Sequence, residues 1–163
     1  MTKLRVTSKI KGDTGELLFE HFCQRNQYAY IRLEEIYNSL TPRCVLSFRY
    51  GDRRIKVEIP TDIQDEVRRF SIPINNDDST PNFVYDFLTV SLRFSFQEID
   101  NKYIQQPYLT KKAFNWIEIK TGKSKLSKSQ KSYKKKSIIG VQLFRVITQL
   151  PNNYEVTYEE LNF

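Results

Sequence analysis

An acidic and a basic residue lie at the end of an apolar run, where a strand buried in the core would not need charged side chains. Glu118 and Lys120 flank Ile119 in FNWIEIK, residues 114–120. Residues two apart in a β-strand point to the same side, so the carboxylate and the ammonium are expected to share one face. In such a pair, the carboxylate can hold a metal ion and the ammonium can orient an attacking water molecule. An edge strand facing solvent could carry the same pair without any catalytic role.

A lysine-rich segment follows this pair directly. Residues 120–136 contain eight lysines and no acidic residue, whereas the whole chain of 163 residues has a net charge of +7, so the rest of the chain is close to neutral. A concentrated patch suits a polyanion, because each neutralised phosphate releases counterions. A solvated face or a targeting signal would carry the same charge. The candidate nucleic-acid contacts are Lys123, Lys125, Ser127, Lys128, Lys131 and Lys135.

The composition predicts one domain with a core of its own. Hydrophobic residues make up 39% and aromatic residues 13% of the chain, which is enough to fill a core at this length. No apolar stretch approaches the length of a membrane span, so no membrane partner is expected. Cys23 and Cys44 lack the spacing of a metal site, which predicts two buried thiols in a reducing, cytoplasmic setting.

Hydrophobic periodicity and turn residues predict the secondary structure. The predicted elements are a helix at 13–27 capped by Asp13, a strand at 28–36, a hairpin at 43–59, a short helix capped by Thr61 or Asp62, a strand at 83–96, a polar excursion at 97–113, a strand at 114–120, a basic helix whose start is set by Gly122 and Ser124, a strand at 138–150 and a weak strand or short helix in the tail.

These elements predict a mixed sheet of the α/β (α+β) class. Without residues 37–80, the order is helix, three strands, helix and strand, which favours a mixed sheet with helices on its faces. The segment 37–80 is too short for a core of its own, so we expect an insertion within a single domain spanning residues 1–163. Its hairpin is a candidate for either dimerisation or DNA contact.

The motif around Glu118 resembles that of a known nuclease superfamily. The motif is similar to that of the PD-(D/E)XK nucleases, above all to the archaeal Holliday-junction-resolvase and VRR-NUC groups. It consists of EIKTG at residues 118–122 followed by SKLSKSQ at residues 124–130. The resemblance covers residues 12–35 and 81–149. It implies a restriction-endonuclease-like αβββαβ core and a Mg²⁺-dependent DNA endonuclease, with Mn²⁺ as a substitute, no small-molecule cofactor, and a homodimer as a further partner. The DNA substrate stays open among junctions, flaps, nicked duplexes and specific sites.

The resemblance also implies roles for individual residues. The metal would be held by the carboxylates of Asp86 and Glu118 and by the backbone carbonyl of Ile119, with Lys120 orienting water or stabilising developing charge. Glu16 is the best match for the superfamily's helix glutamate, although Glu20 lies on the same face of the helix. A capping-box partner would also look the same as Glu16. Gln130 matches a substrate contact, although a glutamine on a helix surface is common.

The chain departs from the motif at one position. The superfamily has Pro-Asp at the start of the strand that precedes Glu-x-Lys, and this chain has Pro81-Asn82, with Asp86 four residues later. Asn82 and Asp86 would lie about 13 Å apart along a regular strand, so one metal ion cannot use both. We expect Asp86 to be the ligand, because a buried carboxylate is costly unless it is paired or metal-bound. If Asn82 is the aligned residue, the protein is a degenerate nuclease fold that binds nucleic acid or serves as an assembly partner.

Overall fold

The computed structural model describes residues 8–39, 44–74, 82–99, 102–105, 110–149 and 153–160. The helices are α1 (Ser8–Asn26), α2 (Leu33–Ser39), α3 (Thr61–Phe70), α4 (Leu92–Ser95) and α5 (Lys128–Lys136), with a 3-10 turn at Lys111–Ala113. The strands are β1 (Tyr28–Arg32), β2 (Val45–Tyr50), β3 (Arg53–Glu58), β4 (Phe87–Ser91), β5 (Phe96–Ile99), β6 (Lys102–Gln105), β7 (Phe114–Thr121), β8 (Gly140–Gln149) and β9 (Asn153–Glu160).

Seven strands form one mixed sheet in the order β3-β2-β1-β4-β7-β8-β9. Strands β7 and β8 are parallel, and all other neighbours are antiparallel. Helix α5 is the crossover that a parallel connection requires. Strands β5 and β6 form a separate hairpin. The predicted mixed α/β class is confirmed.

Helices cover the sheet on both faces. Ile117 belongs to the hydrophobic cluster of α1, which is centred on Phe19. Its neighbour Trp116 points to the other face and packs against Phe70 of α3 at a centroid distance of 5.3 Å, and Phe70 in turn contacts Tyr133 of α5 at 4.9 Å. Strand alternation therefore places Glu118 and Lys120 on the face of α3 and α5.

Helix α1 begins five residues earlier than the predicted start at residue 13. Asp13 consequently lies inside the helix and does not cap it, which removes the capping-box explanation for Glu16. Helix α3 is where the sequence predicts it, but its N-cap is Pro60, not Thr61 or Asp62.

Two predicted strands are shorter than expected. Strand β1 ends at Arg32, and the chain turns into α2 because Leu33 and Ile36 bury one side of a helical turn. The predicted strand 83–96 contains β4 and then bends through α4. The tail forms β9.

The hairpin β2–β3 is confirmed, with Gly51 in the turn at a φ of +62°. It extends the main sheet through the pairing of Arg49 with Tyr30 of β1. Helix α3 buries Val67 and Phe70 in the same core as Trp116. The described parts of the predicted insertion at 37–80 are therefore built into the sheet and its core.

Both cysteines are buried and free, as predicted. Among the described helices, none has the length and apolar character that crossing a membrane requires.

Candidate active site

Strands β4 and β7 diverge at Asp86 and Glu118. The two strands pair from Phe87 opposite Ile117 onward along β4. Beyond Ile117, β7 continues to Thr121 alongside β8, whereas the chain preceding Phe87 leaves the ladder. The result is a fork at the edge of the α5 crossover, with Asp86 at its base.

Three hydrogen bonds fix Asp86 at this fork. Its amide donates to the carbonyl of Ile117 at 2.9 Å, and its carbonyl accepts from the amide of Leu33 at 3.3 Å. Its carboxylate Oδ2 accepts from the amide of Ile119 at 2.7 Å. The side chain thus occupies the place of a backbone partner on the edge of β7, and it lies next to Glu118.

The Asp86 and Glu118 carboxyl groups are neighbours in a buried environment, and each affects the pKa of the other. Glu118 is only 7% exposed. Burial, and then the charge of Asp86, raise the pKa of Glu118 to about 8, against the opposing effects of Gln130 and Lys120. Burial also raises the pKa of Asp86, although its hydrogen bonds from Ile119 and with Glu118 oppose the shift. At neutral pH the pair therefore holds a proton between its two carboxyl groups.

Lys120 lies on the solvent side of this pair. Its Nζ is 3.2 Å from Oε1 of Glu118. The sequence prediction that Glu118 and Lys120 share one face is confirmed by this contact. The ammonium is more exposed than the carboxylate, so it can reach a bound phosphate without leaving the pair.

Gln130 is buried, so the alternative of a glutamine exposed on the helix surface is wrong, and the predicted substrate contact stays a prediction. Helix α5 begins at Lys128 with Ser127 as its N-cap, later than the predicted start. The Ser127 hydroxyl accepts from the Gln130 amide at 3.2 Å, and Gln130 Oε1 accepts from the Ser127 amide at 2.9 Å. Gln130 Nε2 donates to the carbonyl of Val84 at 3.0 Å, and the side chain also hydrogen-bonds Glu118.

Tyr85 is a site residue that sequence patterns do not reveal. Its hydroxyl donates to the carbonyl of Gln130 at 3.0 Å, and its ring stacks on Trp116. Burial, followed by the charge of Glu118, raises the pKa of this hydroxyl. The only signal in the sequence is an aromatic residue directly before Asp86, which is too common to single out.

The predicted lysine contacts are exposed, on two different elements. Lys123 and Lys125, with Ser127, precede α5, whereas Lys128, Lys131 and Lys135 lie on it. Arg145 on β8 holds the segment before the helix, because its Nη1 donates to the carbonyls of Gly122 at 2.6 Å and Ser124 at 2.9 Å. Gly122 has a φ of +62°, which favours glycine at this turn.

Glu16 lies near the fork but is engaged by an arginine. Its charge contributes to raising the pKa of Asp86, which places the two carboxylates within electrostatic range. Its Oε2 accepts a hydrogen bond from Nη2 of Arg32 at 2.9 Å, and Glu20 is 3.8 Å from the same nitrogen.

Asn82 lies outside β4. It precedes β4 by five residues, so the prediction that Asn82 and Asp86 share a strand is wrong. Its backbone carbonyl accepts from the amide of Ile74 at 2.8 Å. Pro81 lies outside the described residues. Of the two alternatives, Asp86 is the residue that the structure brings beside Glu118.

The donor set suits a hard divalent cation. Two carboxylates in contact and an adjacent backbone carbonyl are oxygen ligands of the type that Mg²⁺ prefers. The pair is also buried, and burial, followed by the charge of Asp86, raises the pKa of Glu118. Within the described ranges, no three His, Cys, Asp or Glu side chains lie together as a metal-binding group.

No protein-family model, curated protein or solved structure matches this chain. The function is consequently inferred from the motif and from the geometry of the fork.

Proposed function

We propose that the chain is a Mg²⁺-dependent nuclease that hydrolyses phosphodiester bonds in DNA. The observation that carries the proposal is the contact between the Asp86 and Glu118 carboxyl groups at the fork, with Lys120 Nζ 3.2 Å from Glu118. A second support is the order α1, β1, β4, β7, α5, β8, in which the four strands are neighbours in the sheet. This is the αβββαβ order of the restriction-endonuclease-like fold that the motif implies.

Asp86, Glu118 and the Ile119 carbonyl would hold the metal. When bound, the ion would lower the pKa of a water molecule and neutralise charge on the phosphate. The Asp86–Glu118 pair is suited to metal binding, because a cation can replace the proton that the two carboxyl groups share. The Ile119 amide keeps Asp86 in place, since it donates to the oxygen Oδ2 and leaves Oδ1 for a ligand.

Lys120 acts on the water or on the phosphate. Its ammonium can donate to both, and a preorganised donor near developing charge stabilises the transition state. Gln130 positions Glu118, because it connects this carboxylate to the start of α5 and to the carbonyl of Val84.

The lysines position the substrate. Lys123, Lys125, Lys128, Lys131 and Lys135 are exposed around the start and outer side of α5. They can neutralise phosphates without reading bases, so binding on this surface should be insensitive to sequence and sensitive to salt.

The second candidate is a protein that binds DNA on this surface and does not cleave it. The observation in its favour is the ion pair of Glu16 with Arg32, which occupies the carboxylate of the helix glutamate in the free protein.

One assay separates the two candidates. Junction, flap, single-stranded and linear duplex DNA are incubated with the protein in Mg²⁺, Mn²⁺, Ca²⁺ or EDTA. We expect cleavage in Mg²⁺ and Mn²⁺ only, and none by Glu118→Gln, which keeps the shape of the side chain. Binding in Ca²⁺ with no cleavage of any substrate would select the second candidate, and cleavage in EDTA would exclude the proposed chemistry.

A further inference from the structure

The outer side of the β2–β3 hairpin carries a second group of cations. Strand alternation turns the buried residues of both strands toward the core, so the remaining residues face outward. Arg49 on β2 stands directly opposite Arg54 on β3, and Lys56 stands opposite Ser47 on the same side. We call Arg49, Arg54 and Lys56 the hairpin basic face. Glu58 lies further along β3, opposite Val45.

This arrangement is unfavourable in the free protein. Like charges directly opposite on neighbouring strands destabilise a sheet. Glu35 on α2 compensates both arginines at once, at 3.3 Å from Arg49 Nη2 and 3.4 Å from Arg54 Nη1. Arg49 Nε is nevertheless buried without a hydrogen-bond partner among the described residues, and an unsatisfied buried donor is costly. Residues that carry such a cost without a packing benefit are typical of binding sites.

The hairpin basic face lies on the sheet face opposite to α5. Arg49 pairs with Tyr30 of β1, which belongs to the cluster under α1. Arg32 follows on the same side of β1, over the ring of Phe87 at 5.0 Å. Phe87 is the residue after Asp86, so Arg32 approaches the fork from the α1 side of the sheet, whereas the lysines of α5 lie on the other side.

We propose that the hairpin basic face binds the sugar–phosphate backbone of a second duplex segment of the DNA whose first segment lies along α5. The inference rests on the proposed function. Two guanidinium groups on strand partners lie about 5 Å apart at their Cα atoms and present forked donors that match phosphate oxygens. A phosphate between them removes the repulsion between the two guanidinium groups.

The position of the two surfaces defines a class of substrate. A short straight duplex lies along one surface and cannot contact opposite faces of a sheet. Simultaneous contact requires DNA that bends or branches at the cleavage site. The hairpin then acts in DNA recognition and not in dimerisation.

The test compares two variants with the same change in charge. Arg49→Gln/Arg54→Gln removes the opposed arginines, and Lys111→Gln/Lys112→Gln removes two exposed lysines at the other end of β7. Binding is measured in Ca²⁺ by fluorescence anisotropy over a series of salt concentrations. The two probes are a four-way junction and a duplex of about one helical turn.

We expect the hairpin variant to bind the junction roughly tenfold more weakly than the wild type. Its log–log salt slope should be smaller by about 0.9 for each phosphate that the variant no longer neutralises, and its affinity for the short duplex should be unchanged. The lysine control should match the wild type on both probes. Glu35→Gln should tighten junction binding, because it releases both arginines, and it provides a test that does not depend on the folding of the double variant.

Equal losses of affinity on the two probes, equal losses in the control, or weaker binding by Glu35→Gln would overturn the inference. A change in oligomeric state with unchanged junction binding would assign the hairpin to dimerisation and would also overturn it. Cleavage of the junction by the wild type in Mg²⁺ is recorded in parallel. If the wild type cleaves the junction but the hairpin variant binds it normally, only the proposal of a second binding surface is rejected. If the binding results are as expected but no cleavage occurs, only the proposed nuclease activity is rejected.

Discussion

The backbone amide of Ile119 donates a 2.7 Å hydrogen bond to the carboxylate of Asp86. This bond connects the strand that carries Glu118 to a residue 33 positions earlier in the chain. The acceptor is a side chain, so the Ile119 amide on the edge of β7 is hydrogen-bonded even though the main chain before β4 turns away. The fork that brings the two carboxyl groups together depends on this bond, in which a side chain takes the place of a backbone carbonyl.

Asp86→Asn should abolish Mg²⁺-dependent cleavage, whereas Asn82→Ala should leave it unchanged. Asparagine can still accept the Ile119 hydrogen bond, but it cannot supply the charge that a cation needs, so we expect a loss of roughly 100-fold or more in metal affinity or rate. Cleavage and calorimetric metal titration measure both effects. The reverse result, with activity lost only in Asn82→Ala, would transfer the ligand role to Asn82.

Glu118→Gln should stabilise the fold at alkaline pH while removing cleavage. The folded-state pKa of Glu118 is about 8 against an ordinary value of 4.5, so the folded protein binds this proton more tightly than the unfolded chain. Its contribution to stability is complete below pH 4.5 and is lost as the pH rises through about 8. Melting temperatures of both proteins at pH 6 and 9 test this.

We expect the variant to be the more stable protein at pH 9, with a smaller change between the two pH values. Glu34→Gln, at an exposed position on α2, is the control for loss of a carboxylate. An equal loss of stability from pH 6 to 9 in the wild type and in Glu118→Gln would contradict the assigned titration.

Metal binding should release a proton from the carboxyl pair. Below pH 8 the Asp86–Glu118 pair holds a shared proton that a divalent cation must displace, so metal affinity should rise with pH and level off above about 8. Calorimetry at pH 7 in two buffers of different ionisation enthalpy gives the number of protons released. We expect a value approaching one for the wild type and close to zero for Glu118→Gln if that variant still binds metal. Affinity that is independent of pH would argue against this pair as the metal site.

Neutralising three exposed lysines of α5 should weaken binding to all DNA sequences alike. Lys128→Gln/Lys131→Gln/Lys135→Gln should reduce the salt slope by about 0.9 for each phosphate that these lysines neutralise in the wild type. Anisotropy titrations with two unrelated sequences measure both quantities. The same number of charges removed from Lys111, Lys112 and Arg93 provides the control. An unchanged slope would identify the α5 lysines as a solvated surface.

Local patterns predict the elements around the site more successfully than the contacts between them. Alternation in β7 is enough to place Glu118 and Lys120 on one face, and the Gly51 turn is enough to define the β2–β3 hairpin. The bend of the chain before β4 is different, because it depends on Asp86 bonding to Ile119 across the sheet. No spacing in the sequence shows such a bond.

The limits of helices follow the same rule. The lysine run indicates a basic helix, but its first residue is decided by the reciprocal hydrogen bonds of Ser127 and Gln130 and by the contact of Gln130 with Val84. These contacts involve the buried side of the helix, whereas the charge pattern concerns its exposed side. The lysine-rich sequence therefore predicts the exposed side of the helix, but it does not predict the buried contacts that join the helix to the site.

Gln130→Ala should shift the pH dependence of cleavage to higher pH. The hydrogen bond from Gln130 lowers the pKa of Glu118, so its removal should raise that pKa further and require more alkaline conditions for loss of the proton. Ser127→Ala is the matched control, because it breaks the same capping box but leaves the contact of Gln130 with Glu118 in place. Rates under single-turnover conditions from pH 6 to 10, together with DNA affinity in Ca²⁺, distinguish the roles. We expect the pH profile of Gln130→Ala to move upward with DNA affinity close to that of Ser127→Ala. A loss of DNA affinity in Gln130→Ala alone, with an unmoved pH profile, would mean that this glutamine contacts the substrate and does not act through Glu118.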